Sequence, residues 1–140
     1  MAGKVYRATH RWARIGPRKA RLVAAMLQGL PVNDAIAVLE NNPRRASALL
    51  RKVVKSALSN ASQEADVDLN ALIVTEARVD MGPLLGGRVR WRPRAMGRAT
   101  PIRKRTSHLY IGLAESAERR KRRKPQANKE TETAVEEAAE

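Results

Sequence analysis

Residues Gly86 to His108 read GGRVRWRPRAMGRATPIRKRTSH. Arg88, Arg90, Arg92, Arg94, Arg98, Arg103, Lys104 and Arg105 are basic, and no acid interrupts them. Arg88, Arg90, Arg92 and Arg94 alternate with other residues, so an extended chain puts their guanidinium groups on one side. Such a row carries charge that the chain itself cannot neutralise, and its natural partner is a polyanion. Arginine suits that role because its planar fork matches phosphate oxygens and stacks on flat rings. Pro93, Gly97 and Trp91 interrupt the run. They mark a shaped segment rather than a solvated block of like charge.

The segments on either side of this run define what it is. Leu72 to Met81 is strand-like, with Ile73, Thr75, Ala77, Val79 and Met81 on one face. Ile102 to Leu113 is the partner strand, with Leu109, Ile111 and Leu113 alternating. Antiparallel pairing of the two makes the arginine segment the end of a long hairpin, with its tip expected at about 82–100. An arm of about 20 residues spans roughly 65 Å at ~3.3 Å per residue, whereas a domain of about 100 residues has a radius of gyration of only ~13 Å. The far end must therefore project. A two-stranded ribbon is marginal in water, and a ribbon loaded with arginine is expected to become ordered by a partner such as phosphate.

Further towards the N-terminus, Val5 to Arg14 reads as a short strand. Gly16-Pro17 starts a helix, with proline where its missing N–H costs nothing. Leu22, Val23, Met26, Leu27 and Leu30 form its expected apolar stripe, and Gly29 its left-handed cap. Asn33 is expected to cap a short second helix with Ile36 and Leu39 turned inward. Asn42-Pro43 starts a third, whose positions Ala46, Leu49, Leu50, Val53, Val54, Ala57, Leu58 and Ala61 give the strongest periodicity in the chain. Asp66 to Asn70 reads as a loop. The expected fold class is α+β: a small antiparallel sheet packed with three helices, and a long protruding β-hairpin.

Composition narrows the function. The chain has 140 residues and a formal net charge of +14, the footprint of a nucleic-acid binder. Its apolar share of 43% allows one modest core. With no Phe, two Trp and two Tyr, that core must be aliphatic. The absence of cysteine excludes a disulfide scaffold, a Cys-ligated zinc site and a Cys nucleophile. No apolar run long enough to span a membrane exists, and the N-terminus lacks the apolar core of a secretory signal, so a cytoplasmic protein without a membrane partner is expected. Met1 to Gly29 is basic without an acid, whereas Leu30 to Asp80 is near neutral and forms the expected core. Residues 1–114 are read as one domain. Residues 115–140 carry the basic cluster Arg119 to Lys124 and then an acidic stretch, and are read as a disordered tail.

A catalytic reading has little material. His10 and His108 sit beside basic residues rather than an orienting carboxylate, and no P-loop or metal-ligand spacing is present, so neither metal nor cofactor is expected. Trp91, between Arg90 and Arg92, is better placed to stack on a base or ribose than to join a core. Trp12 is compatible with either a core edge or an RNA contact. The apolar helices look committed to the core, leaving none to enter a DNA major groove. A bare arginine ribbon suits a folded RNA with irregular pockets.

Pro17-Arg18-Lys19-Ala20-Arg21-Leu22-Val23 resembles the PRKARLV helix of the bacterial large-subunit ribosomal protein number twenty-two family. Gly82-Pro83, then Pro93-Arg94-Ala95-Met96-Gly97-Arg98-Ala99, then Arg103-Lys104-Arg105-Thr106-Ser107-His108-Leu109 resemble its hairpin signatures, in order, over about Val5 to Leu113. The segment LLGGRVRWR between the first two is longer than the family pattern. The resemblance implies a structural protein with no enzymatic activity and a small α+β domain on the exterior of the cytoplasmic ribosome's large subunit. It further implies a hairpin that runs inward through rRNA, lines the nascent-peptide tunnel and influences macrolide response, and a role in subunit assembly. Its implied partners are large-subunit rRNA, neighbouring ribosomal proteins and the nascent peptide. The candidate rRNA contacts are Arg7, Arg11, Arg14, Arg18, Lys19, Arg21, Arg92, Arg94, Arg98, Arg103, Lys104, Arg105 and His108. The expected tunnel-facing tip is Leu85, Gly86, Gly87, Arg88, Val89, Arg90 and Trp91. A stand-alone nucleic-acid chaperone with flexible basic arms is the alternative. One defined rRNA site of stable stoichiometry separates the two.

Overall fold

In the computed structural model, which describes residues 4–64 and 67–115, a three-stranded antiparallel sheet carries three helices on one face. Strand β1 (Tyr6–Ala13) precedes helices α1 (Pro17–Ala24), α2 (Val32–Asn41) and α3 (Arg45–Ser62). Strands β2 (Leu72–Leu84), β3 (Arg90–Pro93), β4 (Ala99–Ile102) and β5 (Arg105–Glu115) follow. The sheet order is β1-β5-β2, and β3 and β4 form a separate ribbon. The architecture is the expected α+β hairpin fold. The final strand includes Glu115, opposite Leu72. The rest of the expected tail, including the cluster Arg119 to Lys124, lies outside the described residues.

The central strand β5 reads as its alternation predicts, with Leu109, Ile111 and Leu113 buried against the helices. From α3, Ala46, Leu50, Val53, Val54, Ala57 and Ala61 close the other side of the core, while Leu49 and Leu58 are half-buried at its margin. Each fully buried leucine or valine contributes roughly 1.5–3 kcal/mol relative to exposure, so an aliphatic core suffices without phenylalanine.

Three local expectations are corrected. In α1 the buried residues are Pro17, Ala20, Val23 and Ala24, with Leu27 following in the turn; Leu22 and Met26 are exposed. The helix ends early and meets the sheet along its small residues, which permit close approach. Asn33 does not cap α2. The helix starts behind Pro31, whose carbonyl accepts from the Ala35 N–H at 2.9 Å, and the Asn33 side chain instead donates to Asn70. In β2 the ladder slips between Val74 and Glu76. Leu72 and Val74 are buried before this bulge, and Ala77 and Val79 after it. One extra residue reverses which parity faces the core, so Ile73 and Thr75 leave the face on which alternation placed them. Met81, expected on the same face, is exposed.

Candidate nucleic-acid interface

Beyond the core, β2 and β5 continue as an arm. Leu84 pairs with Arg105, and the Leu85 N–H donates to the Lys104 carbonyl at 2.8 Å. Pairing resumes at Arg90 opposite Ile102 and runs to Pro93 opposite Ala99. Between these points Gly86, Gly87, Arg88 and Val89 stand against Arg103 alone. Gly86 and Gly87 take positive φ, and the Gly87 N–H donates back to the Leu84 carbonyl at 2.8 Å. Such a fold-back is open to glycine and costly for other residues. The arm ends at Arg94 to Arg98. Its backbone hydrogen bonds close a turn in which Met96 and Gly97 both have positive φ, the twist that suits a two-residue hairpin loop.

The residues expected at the tip are therefore placed differently. Leu85 to Val89 form a bulge part-way along the arm, Arg90 and Trp91 lie in β3, and the end of the ribbon is Ala95-Met96-Gly97. The expected row of four arginines is broken for the same reason. Arg90 and Arg92 alternate on β3, Arg88 sits in the bulge, and Arg94 opens the turn. Residues 90–105 are all exposed.

At the root of the arm the fold gathers charge that is scattered in sequence. Arg14, Arg18, Lys19, Arg21, Arg45, Arg90, Arg103, Lys104 and Arg105 line one groove of about 910 Å³, and no acidic residue lines it. Among the described residues the salt bridges are made by Lys4, Arg7, Arg51 and Arg78, none of which belongs to the groove. The helix starts sharpen the point. A helix N-terminus carries partial positive charge and favours acidic residues in its first turn. Neither α1 nor α3 has one there; Arg18, Lys19 and Arg45 occupy those positions instead. Helix dipole and side chains repel each other in the free protein, and an anion in the groove satisfies both.

The uncovered face of the sheet is different in kind. There Arg7 pairs with Glu76 at 3.6 Å, Arg78 with Asp80 at 3.4 Å, and the Arg78 guanidinium lies 4.7 Å from the Tyr110 ring centre. That charge is internally balanced. Of the expected RNA contacts, Arg14, Arg18, Lys19, Arg21, Arg103, Lys104 and Arg105 thus converge on the groove, and Arg92, Arg94 and Arg98 stand exposed on the arm. Arg7 is held in the balanced face, while Arg11 and His108 flank Trp12. Within the groove, Arg21 also donates to the Val79 carbonyl at 3.1 Å, which ties α1 to β2. Sequence reading missed Arg45. Its signal was available: a basic pair, Arg44-Arg45, where a helix start calls for acid.

Groups of three or more potential metal-ligating side chains are absent among the described residues, and no helix there is long and apolar enough to cross a membrane. The basic groove, exposed arginine ribbon and hairpin motifs belong together in one further finding: the family model of ribosomal protein L22p/L17e matches residues 8–114. That match covers all three helices, the arm and all of the sheet but the first two residues of β1 and the last of β5, and the family is of a structural, non-enzymatic kind. The chain belongs to the ribosomal protein L22p/L17e family, and is an rRNA-binding structural component of the large ribosomal subunit.

Proposed function

We propose that the groove at the arm root is the anchor on large-subunit rRNA, and that the arm threads between RNA segments in the cytoplasmic ribosome to reach the nascent-peptide tunnel. In this reading the domain stays outside, the chain supports subunit assembly, and the end of the arm meets the nascent peptide. The observation that carries the anchor is the convergence of uncompensated basic residues from the turn after β1, from α1, α3 and β3, and from the β5 approach on one groove. Proximity of fixed positive charges raises the potential between them, and RNA phosphate lowers it while releasing counterions. The tunnel assignment rests on family resemblance and on the reach of an exposed arm.

The test has two parts. Replacing Arg18, Arg45 and Arg103 with Ala should weaken binding to large-subunit rRNA. It should also flatten the log–log salt dependence by up to ~0.9 per lost phosphate contact, less where the RNA is single-stranded. An unchanged slope places the anchor elsewhere. In assembled ribosomes, a photocrosslinker at Met96 should capture the nascent chain. Capture of rRNA alone would assign the arm a purely anchoring role.

A further inference from the structure

Trp12 is an anomaly that the groove does not explain. The ladder between β1 and β5 slips there: His10 pairs with Leu109 and Ala13 with Ser107, so Arg11 and Trp12 share one opposite residue, His108. Trp12 has φ of 55°. A bulky residue in the left-handed region is a genuine outlier, held only where its surroundings impose it. The surroundings are visible. The Trp12 N–H donates to His108 Nδ1 at 3.1 Å. The two rings meet edge to face, with centroids 6.2 Å apart and planes at 70°. The Arg11 guanidinium carbon lies 5.3 Å from the indole centre. Yet Trp12 is 59% exposed. The fold thus spends backbone strain to hold a large flat ring in solvent, where burial returns little to stability.

We propose that Trp12 is a nucleotide-stacking residue, whose open face receives an unpaired RNA base while Arg11 meets that nucleotide's phosphate. The proposal rests on the rRNA-binding reading and adds a site that reads single-stranded RNA rather than phosphate alone. An aromatic face accepts any base, and stacking is how proteins engage the splayed bases of folded RNA. The adjacent cation favours RNA over an apolar protein segment as the occupant. So does location: Arg14, two residues on, lines the basic groove, so RNA seated there passes close to the ring.

The experiment exploits the strain. Trp12→Gly removes the ring and also suits the left-handed backbone, where glycine is at ease. A packing role predicts loss of stability; a recognition role predicts a melting temperature equal to or above that of the parent chain, with weaker RNA binding. The probes are an adenosine-rich single-stranded RNA and a duplex RNA of equal phosphate number, each titrated with the full-length chain. For the single strand, Trp12→Gly should lose between about fivefold and about 150-fold in affinity, the range seen when one base loses its aromatic partner. Trp12→Tyr should recover most of it. Duplex affinity and the salt slope should not change, since no phosphate contact is removed. Equal affinity of parent and Trp12→Gly for the single strand overturns the proposal. So does an equal loss on both probes, and so does parental RNA binding combined with loss of a neighbouring protein from reconstituted subunits, which would make the ring a protein contact. Failure of the groove reading is separately visible, because it appears as an unchanged salt slope in the Arg18, Arg45 and Arg103 variant, whatever Trp12 does.

Discussion

Gly82 is a position where one hydrogen atom decides the packing. A Cβ there would lie 2.5 Å from Thr106 Oγ1 and 3.2 Å from the Thr106 backbone carbon. The Thr106 hydroxyl is itself fixed, donating to the Pro83 carbonyl at 2.6 Å. The side chain cannot swing away without breaking that bond, so Gly82→Ala should destabilise the chain by about 1–3 kcal/mol, the usual cost of overpacking. Thermal melting checks this, and an unchanged midpoint would mean that the strands part freely at the arm root. At the opposite end of the sheet, Glu64 accepts from the Lys4 ammonium and from the Tyr6 hydroxyl at 2.7 Å. These bonds, Lys4 first, hold its carboxyl below the usual glutamate range, with burial opposing them. A depressed folded pKa adds stability above the unfolded pKa, and that stability is lost as pH falls through the folded value. Glu64→Gln should therefore lower stability near neutrality and shrink the difference from the parent on acidification below the ordinary carboxylate range. Because the pair is partly solvated the effect should be small. Unfolding curves that differ by a constant amount at all pH values would show that ionisation of Glu64 plays no part.

The bulge in the arm is the most consequential element that alternation alone did not reveal. Leu85 is hydrogen-bonded opposite Lys104, and Arg90 pairs with Ile102. Deleting Gly86-Gly87-Arg88 leaves Val89 opposite Arg103, which restores one-to-one pairing along the ribbon. The deleted form should fold, with added amide protection at Val89 and Arg90. Subunit assembly should persist, because the core domain, Arg92 to Arg105 and most of the groove remain. On the tunnel reading, the displaced end should change macrolide response or peptide-dependent stalling in ribosomes carrying it. Lost assembly with unchanged tunnel behaviour would turn this segment into an rRNA anchor. The helices teach a related lesson. The stripe of α3 was legible because a long helix repeats its signal over many turns. In α1, an eight-residue helix, the pattern has too few turns to separate Leu22 and Met26 from the buried face. A bulge such as that between Val74 and Glu76 leaves no mark on alternation, since the residues on either side still read as strand.

At the scale of the whole molecule, stability and charge are segregated. Apolar burial is concentrated between the helices and the paired parts of β1, β2 and β5, whereas residues 90–105 contribute exposed surface and positive charge. Local opening costs least where few apolar contacts must break. Amide exchange in the free protein should therefore be slow at Val79 and Leu109 and fast from Arg90 to Ile102. Binding of large-subunit rRNA should slow the arm far more than the core. Protection of the arm in free protein equal to that of Leu109 would contradict the view that its order depends on a partner. Trp12 and Met96 mark the two ends of this gradient. Both have positive φ and both are exposed, one at the margin of the sheet and one in the terminal turn of the arm.

By itself the sequence determined the hairpin, the aliphatic core helix and the polyanion partner. These rest on near-neighbour patterns: alternation in Leu109-Ile111-Leu113, helical spacing through α3, and an arginine run without acid. Family membership was legible for the same reason, in contiguous motifs such as Pro17 to Val23. Only the tertiary structure decided which basic residues act together. Arg14, Arg45 and Arg103 are far apart in the chain, and they share a groove because β1, α3 and the arm root are packed onto one core. Only the tertiary structure, too, moved the end of the arm to Met96 and left Trp12 in solvent. Bulges and left-handed residues are set by the register between strands, and register is a property of pairs of segments that neither segment's own pattern contains.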